Sequence, residues 1–171
     1  MQSKKTKTTS NDKYVIGIDP GLTGAMCLYN ITTNKVVELL NTPTYKKDKK
    51  KLLNGLLISN KLEEWYKLTT KVVIESQTII RGKDGTKSAM STMRNFGYLL
   101  GILDSLNFEI IEVSPITWQS TLLKDVIDPG EPVKLKSTKR KSLVLTKDFN
   151  PKGDGQADAI CLAIWYKSNI N

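Results

Sequence analysis

Four acidic residues occur at positions where a carboxylate is expected to do chemistry. Asp19 ends the apolar run Tyr14–Ile18 and is followed at once by a Pro-Gly break, which places its carboxylate at the end of a buried strand. Glu75 ends a second apolar run, and Asp154 and Asp158 lie four residues apart near the last predicted helix. Because an unpaired buried carboxylate is costly, we expect these groups to be ion-paired, hydrogen-bonded or bound to a metal.

The composition limits the chemistry that these acids can support. The 171 residues include no histidine, which excludes Ser-His-Asp triads, Cys-His pairs and histidine-bound zinc. A divalent metal would therefore have oxygen ligands, as Mg²⁺ and Mn²⁺ prefer. The formal net charge of +9 favours a polyanionic partner over a purely solubilising role for the lysines. Together these features predict a metal-dependent enzyme that acts on nucleic acid.

The positive charge is concentrated in two segments, residues 46–51 (KKDKKK) and 134–141 (KLKSTKRK). Cys27 and Cys161 lie in apolar segments, so we expect core cysteines in a reducing intracellular compartment: the cytoplasm, a nucleoid or an organelle matrix. No apolar run reaches the length of a membrane span. Residues 1–12 are interpreted as a flexible basic tail that precedes one domain over residues 13–171.

Hydrophobic periodicity predicts an α/β fold with a mixed central sheet flanked by helices. Strands are predicted at residues 14–19, 24–31, 35–41, 71–75 and 109–113. The first three are expected to form an antiparallel meander, and the uninterrupted β-branched run before Glu75 favours a strand covered on both faces. The segment from Pro43 to Lys51 is interpreted as a charged connection. Helices are predicted at residues 52–68, 88–106, 116–123, 137–148 and 155–167.

These elements can bring the four acids together. If the last helix begins at Asp154, Asp158 lies one turn later, about 6 Å along the axis, at the edge of an apolar stripe that faces the sheet. Simpler roles are also open, with Asp154 as a helix N-cap and Glu75 as a surface ion-pair partner. If the strands that end in Asp19 and Glu75 are neighbours, crowded carboxylates repel each other unless cations lie between them. Two Mg²⁺ ions would relieve that repulsion, activate water and stabilise a leaving 3′ oxygen.

Gly97 and Gly101 face the same way because they lie four residues apart in the predicted helix 88–106. A glycine costs about 1 kcal/mol in a helix interior, so a pair on one face often marks close packing. The partner is either the sheet or a second copy of the chain, and both alternatives are open.

The acidic motifs and the segments between them resemble the RuvC family of Holliday-junction resolvases, in its phage and organellar branch, over roughly residues 13–167. The matching segments are GIDPG at residues 17–21 followed by Gly24, VIE at 73–75, GYLLGILDSLNFEIIEVSPITW at 97–118, Lys139–Pro151, and DGQADA at 154–159. Two positions depart from relatives. Gly155 stands where some have their third metal ligand, and Gly153 stands where the phage and organellar branch often has a histidine.

This resemblance implies an RNase H-like fold and an endonuclease that acts as a homodimer on four-way DNA junctions. It implies two Mg²⁺ ions per active site, replaceable by Mn²⁺, with Asp19 bridging them, Glu75 on one, and Asp154 and Asp158 on the other. Lys139 matches a basic position of the family and is expected to act in catalysis by steadying the scissile phosphate. Contacts to DNA phosphates are expected from Arg81, Lys83, Lys87, Lys134, Lys136, Lys139, Arg140 and Lys141.

Other functions are compatible with the same residues. A broader RNase H-like nuclease would use the same chemistry on flaps, other branched DNA or RNA–DNA hybrids. A non-catalytic junction-binding protein would not need the acids, yet all four are present. An ATPase of the actin and sugar-kinase type needs two such domains, which is more than 171 residues provide. The sequence leaves open a partnership with a branch-migration helicase.

Overall fold

The structure, a computed structural model, describes residues 13–77, 86–132 and 134–169. The predicted tail at residues 1–12 and the predicted DNA-contacting residues Arg81 and Lys83 lie outside these ranges, and the side chain of Lys87 is likewise outside the description. The division into a tail and one domain stays a prediction.

Seven strands and five α-helices make up the described chain. The strands are β1 (Tyr14–Asp19), β2 (Ala25–Asn30), β3 (Lys35–Asn41), β4 (Thr44–Lys47), β5 (Lys50–Leu53), β6 (Lys71–Glu75) and β7 (Glu109–Val113). The helices are α1 (Gly55–Tyr66), α2 (Thr86–Ser105), α3 (Pro115–Leu122), α4 (Ser137–Leu145) and α5 (Asp154–Asn169).

Five of the strands form one sheet in the order β3-β2-β1-β6-β7. Strands β1, β2 and β3 are antiparallel neighbours, whereas β6 pairs in parallel with both β1 and β7. Strand β1 is therefore the central strand and is paired on both sides, which agrees with its uninterrupted apolar run. The predicted mixed sheet and its five strands are confirmed.

Helices cover both faces of this sheet. On one face Ile16 of β1 packs in an apolar core with Leu62 of α1 and Leu99 of α2. On the other face Val15 belongs to a second core with Ile160 of α5. Successive residues of a strand point to opposite faces, so both faces of β1 are buried, and each such side chain contributes roughly 1.5–3 kcal/mol relative to exposure.

The segment from Pro43 to Lys51 is not a plain connection, and that prediction is wrong. Strands β4 and β5 pair antiparallel as a hairpin, with Thr44 opposite Leu53. The turn residues Asp48 and Lys49 both have left-handed backbone conformations, with φ of 47° and 64°, as a two-residue hairpin turn requires. Lysines on both faces conceal the apolar alternation by which a strand is recognised in the sequence.

The basic helix α4 ends at Leu145, three residues earlier than predicted. The hydroxyl of Thr146 donates a 2.7 Å hydrogen bond to the carbonyl oxygen of Ser142, a contact by which threonine competes with regular helix propagation. A single 3₁₀ turn over Lys147–Phe149 follows, closed by Asn150 with a φ of 53°. The chain therefore turns toward α5 before the proline that the sequence offers as the stop.

Gly97 and Gly101 lie on the exposed side of α2. A Cβ atom built on either glycine would meet no atom of the described residues within 4 Å. The alternative in which they pack against the sheet is therefore wrong, since Phe96 and Leu99 on the other side of the helix fill that core.

Among the described residues, no helix combines the length and the apolar character needed to cross a membrane. Cys27 and Cys161 are both free and buried, as expected of core cysteines.

Candidate active site

Asp19 and Glu75 are the last residues of two neighbouring parallel strands. Ile18 of β1 lies in register with Ile74 of β6, so the two acids that follow leave the sheet at the same edge. The condition under which the sequence would bring these acids together, that the two strands are neighbours, is met. Two carboxylates that are far apart in sequence thus share one end of the fold.

Helix α5 brings the other two acids to this edge. It begins at Asp154 and continues to Asn169, longer at both ends than the predicted range 155–167. Asp158, one turn into the helix, is 5% exposed and lies close enough to Asp19 and Glu75 at the strand ends to raise the pKa of each. The predicted orientation of Asp158 toward the sheet is confirmed.

Two glycines allow α5 to approach the sheet this closely. A Cβ atom on Gly17 would lie 2.1 Å from the carbonyl oxygen of Ala159. A Cβ atom on Gly155 would lie 2.5 Å from the carbonyl oxygen of Thr23 and 3.2 Å from Oδ2 of Asp19. The first turn of α5 is therefore in direct contact with the strand end that carries Asp19.

Lys139 of α4 joins the two helix aspartates. Its Nζ atom lies 2.7 Å from Oδ2 of Asp154 and 2.9 Å from Oδ2 of Asp158. Burial opposes the charge on Lys139, but the two aspartates outweigh burial and raise its pKa above the ordinary value. Burial likewise opposes the charge on Asp154, whose pKa is nevertheless lowered by Lys139 and by the backbone amides of Asp154 and Gly155. Asp154 is therefore the first residue of α5 and also makes a contact inside the acid cluster, whereas the carbonyl of Gly153 accepts the first backbone bond of the helix.

The other three carboxylates of the cluster resist ionisation. Burial, together with repulsion from Asp158 and Glu75, raises the pKa of Asp19 to about 7. Burial also raises the pKa of Glu75 and of Asp158, in each case against the attraction of Lys139. Acids with jointly raised pKa values at one sheet edge form a site that an added cation would stabilise.

No protein-family model and no curated protein sequence matches this chain. Several solved structures are similar to it. RuvC from Thermus thermophilus in complex with a Holliday junction substrate has a TM-score of 0.54 at 14% identity, over 89% of this chain and 90% of that chain. Another T. thermophilus RuvC structure has a TM-score of 0.53 at 15% identity, over 89% of this chain and 92% of that chain. The yeast mitochondrial Holliday junction resolvase has a TM-score of 0.50 at 18% identity, over 90% of this chain and 77% of that chain.

This chain has the RuvC fold. The five-stranded mixed sheet with helices on both faces is the RNase H-like arrangement that the motifs predicted. The likeness to this fold extends over 89% of the chain.

Within this RuvC fold, the packing of α5 explains why the third acid stands at residue 154. The position three residues before Asp158 is Gly155, and the contact of its built Cβ with Thr23 leaves no room there for a side chain. Asp154, one residue earlier, is the first residue of the same helix, and its carboxylate forms an ion pair with Lys139. The first turn of α5 thus carries its carboxylate at residue 154, because the position at residue 155 is closed.

Trp118 holds Glu75, and the sequence did not single out this tryptophan as a site residue. Its indole Nε1–H donates a 2.8 Å hydrogen bond to Oε2 of Glu75, and Gln77 Nε2 lies 3.4 Å from Oε1. Trp118 is completely buried, and a buried indole N–H usually finds a partner. The one available signal is its place at the end of the SPITW motif, since its partner is 43 residues away.

The donor chemistry of the RuvC-fold site fits a divalent metal. Oδ1 of Asp158 is buried without a hydrogen-bond partner, which is unusual for a carboxylate oxygen and fits a cation ligand. Across the described residues, no three acidic or cysteine side chains are arranged around a common metal position as they stand. The ammonium group of Lys139 lies between Asp154 and Asp158, so a metal ion held by both aspartates would have to displace it.

The predicted DNA-contacting residues of the 134–141 segment fall into two groups. Arg140 makes a bidentate ion pair with Asp128, with both N–O distances at 2.6 Å, and Lys141 donates to the carbonyl oxygen of Leu123. Both side chains therefore already have hydrogen-bond partners within the protein. The cations of this segment with exposed side chains are Lys134 and Lys136.

Proposed function

We propose that this protein is a divalent-metal-dependent endonuclease that resolves four-way DNA junctions by paired, symmetric phosphodiester cleavage as a homodimer. The observation that carries this proposal is the convergence of four carboxylates at one edge of a RuvC-fold sheet, namely Asp19, Glu75, Asp154 and Asp158. A RuvC of the same fold is in complex with a Holliday junction substrate, and the net charge of +9 suits a DNA partner.

The proposed cofactor is Mg²⁺, with Mn²⁺ as a substitute and two ions in each site. When bound, the ions supply Lewis acidity toward the phosphate and a water of lowered pKa. Asp19 is repelled by both Glu75 and Asp158, so it is the carboxylate best placed to be shared between two ions. Glu75 would bind one ion and the aspartates of α5 the other, and Trp118 would keep Glu75 in place.

Lys139 is proposed to act on the scissile phosphate. Its ammonium group forms ion pairs with Asp154 and Asp158. A lysine carries a point charge on a flexible stem, so it can turn from the aspartates to a phosphate oxygen without movement of α4. The same side chain would then stabilise negative charge on the phosphate as the bond to the 3′ oxygen breaks.

A homodimer would use the exposed side of α2. Met90 is 67% exposed and Tyr98 is 50% exposed, and they lie near the two glycines that leave open space on this helix. A two-fold dimer matches the symmetry of a four-way junction and places one site on each of two opposed strands. The free, buried cysteines agree with the proposed reducing compartment inside a cell.

The experiment that tests this function is cleavage of a labelled four-way junction with Mg²⁺ or Mn²⁺, beside a flap, a linear duplex and an RNA–DNA hybrid. Paired incisions confined to the junction are expected. Cleavage of flaps and hybrids at equal rates would identify a broader RNase H-like nuclease instead, and junction binding without incision would identify a binding protein.

The matched pair of variants is Asp158→Asn in the cluster and Asp125→Asn at an exposed site outside it. Loss of a metal ligand is expected to lower junction cleavage by more than about 100-fold, because loss of outer-shell partners alone costs 10- to 100-fold. Junction binding should be kept, and Asp125→Asn, whose side chain is 87% exposed, should cut normally. Normal cleavage by Asp158→Asn would refute the assignment.

A further inference from the structure

A polar groove lies between the β4–β5 hairpin and the start of α5, next to the acid cluster. It has a volume of about 360 Å³, and Asp154 is one of its lining residues. The hairpin contributes Thr44 and Lys51 to the lining, and the approach to α5 contributes Lys152. The groove therefore continues outward from the place where the scissile phosphate is proposed to bind.

The hairpin that forms one wall carries unbalanced positive charge. Its register places Lys46 directly opposite Lys51 and Lys47 directly opposite Lys50. Like charges at directly opposed positions destabilise a strand pair, and a two-stranded hairpin is only marginally stable by itself. Among the described residues, no ion pair involves any of these four lysines. A polyanion bound along the hairpin would relieve this repulsion.

The two faces of the hairpin point to different parts of the protein. Thr44 and Lys51 line the groove, so Lys46, which is opposite Lys51 and two residues after Thr44, lies on the same face. Lys47 and Lys50 alternate to the other face, where Lys50 and Tyr45 line cavities against α2. Lys51 borders one of these cavities as well as the groove. The opposed pair on the groove side is therefore Lys46 and Lys51, with Lys46 lying beyond the residues that line the groove itself.

The floor of the groove offers donors for an anion. The first turn of the 16-residue helix α5 points its backbone N–H groups toward this end, which favours negative charge. Thr42 also lines the groove, is 4% exposed, and has an Oγ1 atom without a hydrogen-bond partner.

Hydrogen bonds hold the floor and the wall of the groove in place. On the floor, the side chain of Gln156 accepts from the backbone N–H of Lys152 and donates to Asn41. The wall is braced by Lys51, whose Nζ donates a 2.7 Å hydrogen bond to the carbonyl oxygen of Leu22.

We propose that this groove binds the phosphodiester backbone of a DNA arm beside the cut site, with Lys46 on one side and Lys152 on the other, while Lys51 holds the wall in place through Leu22. The proposal deepens the function proposed above and rests on it. Contacts of this kind hold the arm in register without reading base sequence. They add an electrostatic term to the binding free energy that salt weakens.

The test compares charge-matched double variants in binding to a labelled four-way junction and to a linear duplex, without divalent metal, from about 50 to 200 mM salt. Lys46→Gln/Lys152→Gln removes one charge from each wall of the groove. Lys47→Gln/Lys50→Gln removes two charges from the other hairpin face. Lys35→Gln/Lys67→Gln removes two exposed charges at the opposite end of the sheet and is the distant control.

For the groove pair, the slope of log Kd against log salt should fall by about 2, one for each lost phosphate contact, with affinity weakened about tenfold near 100 mM salt. The distant control should keep the wild-type slope. Lys47→Gln/Lys50→Gln should change the slope by less than half as much as the groove pair does. An unchanged slope for the groove pair, or equal effects of the two hairpin double variants, would overturn the proposal that the groove binds DNA. Cleavage of junctions by the wild-type protein would then still support the proposed function. A wild-type protein that binds no DNA would overturn both.

Discussion

Asp19 is the residue at which burial and charge oppose each other most directly. It ends the central strand, so it cannot leave the sheet edge, and it is repelled by the three other acids there. Burial and repulsion raise the pKa of Asp19 more than the positive charge of Lys139 on α4 lowers it. The pKa of Asp19 is therefore about 7. The cluster therefore carries a cost in the folded state that a bound cation would remove.

This cost predicts a pH-dependent stability for the metal-free protein. Because the pKa of Asp19 is raised from 3.8 to about 7, the folded state keeps a proton that the unfolded state has lost, and stability falls as pH rises through that range. Asp19→Asn should be more stable than wild type by about 4 kcal/mol at pH 7.5 and nearly equal to it at pH 4. Thermal unfolding in EDTA at several pH values measures this, and an advantage independent of pH would contradict it.

Trp118 gives the second prediction at the residue scale. Trp118→Phe removes the indole donor to Glu75 and keeps an aromatic ring in the core. A hydrogen bond to a charged group contributes about 1.5–3 kcal/mol, so single-turnover cleavage should fall about tenfold or more. The pKa of Glu75 should rise, which moves the acid limb of the pH–rate profile to higher pH.

The chain contains a matched control for Trp118. Trp65 is also buried and donates a 2.9 Å hydrogen bond to Glu38, away from the acid cluster. Trp65→Phe should lose stability to a similar extent but keep the wild-type pH–rate profile. If both variants gave the same profile, Trp118 would be a structural residue only.

At the scale of elements, α5 acts as one rigid part because it is buried on nearly every side. Residues 155–163 are all buried, so the helix cannot rotate to correct a local displacement. The distance between Asp19 on the sheet and the aspartates on α5 is set by backbone contact at Gly17 and Gly155. Close-packed interiors transmit such a displacement along the helix.

Gly155→Ala tests this coupling, with Gly153→Ala as its control. The new methyl group at residue 155 would lie 2.5 Å from the carbonyl oxygen of Thr23, whereas one at residue 153 would meet no described atom within 4 Å. Overpacking of this kind costs about 1–3 kcal/mol, and it should also separate Asp154 from Asp19 and reduce cleavage. Melting temperature and cleavage rate should both fall for Gly155→Ala only. Wild-type behaviour of that variant would show that the helix can shift freely.

At the scale of the whole molecule, function depends on which surface remains uncovered. Helix α2 buries Phe96 and Leu99 against the sheet and turns two glycines outward. Among the described residues, this exposed face is unlike an ordinary solvated helix surface, since Met90, Met93 and Tyr98 also lie exposed on this helix. We expect a second copy of the chain to cover it.

Gly101→Leu should convert the proposed dimer to a monomer. The added side chain projects into open space in one copy, and leucine favours a helix over glycine by about 1 kcal/mol, so the monomer should stay folded. Sedimentation velocity measures the change in mass, and circular dichroism checks the fold. The control is Glu63→Leu on the exposed side of α1, which should remain dimeric. A folded Gly101→Leu variant that stays dimeric would place the interface elsewhere.

Much of the fold could be predicted because its signals are local. The apolar runs before Asp19 and Glu75 predicted two buried strands, and the spacing of Asp154 and Asp158 predicted two acids on one helix. The β4–β5 hairpin was missed because Lys46 and its neighbours hide the alternation of a strand. The end of α4 was misplaced because a side-chain hydrogen bond at Thr146 precedes the obvious proline stop.

The sequence by itself determined which chemistry was available: carboxylates at strand and helix ends, no histidine, and an excess of lysine. Only the tertiary structure decided how those groups meet. Parallel pairing of β1 with β6 brought Asp19 beside Glu75, the indole of Trp118 reached Glu75 from 43 residues away, and Lys139 came between the two aspartates of α5. The physical reason is that residue type sets charge and local conformation, whereas distances between distant residues are set by the packing of whole elements.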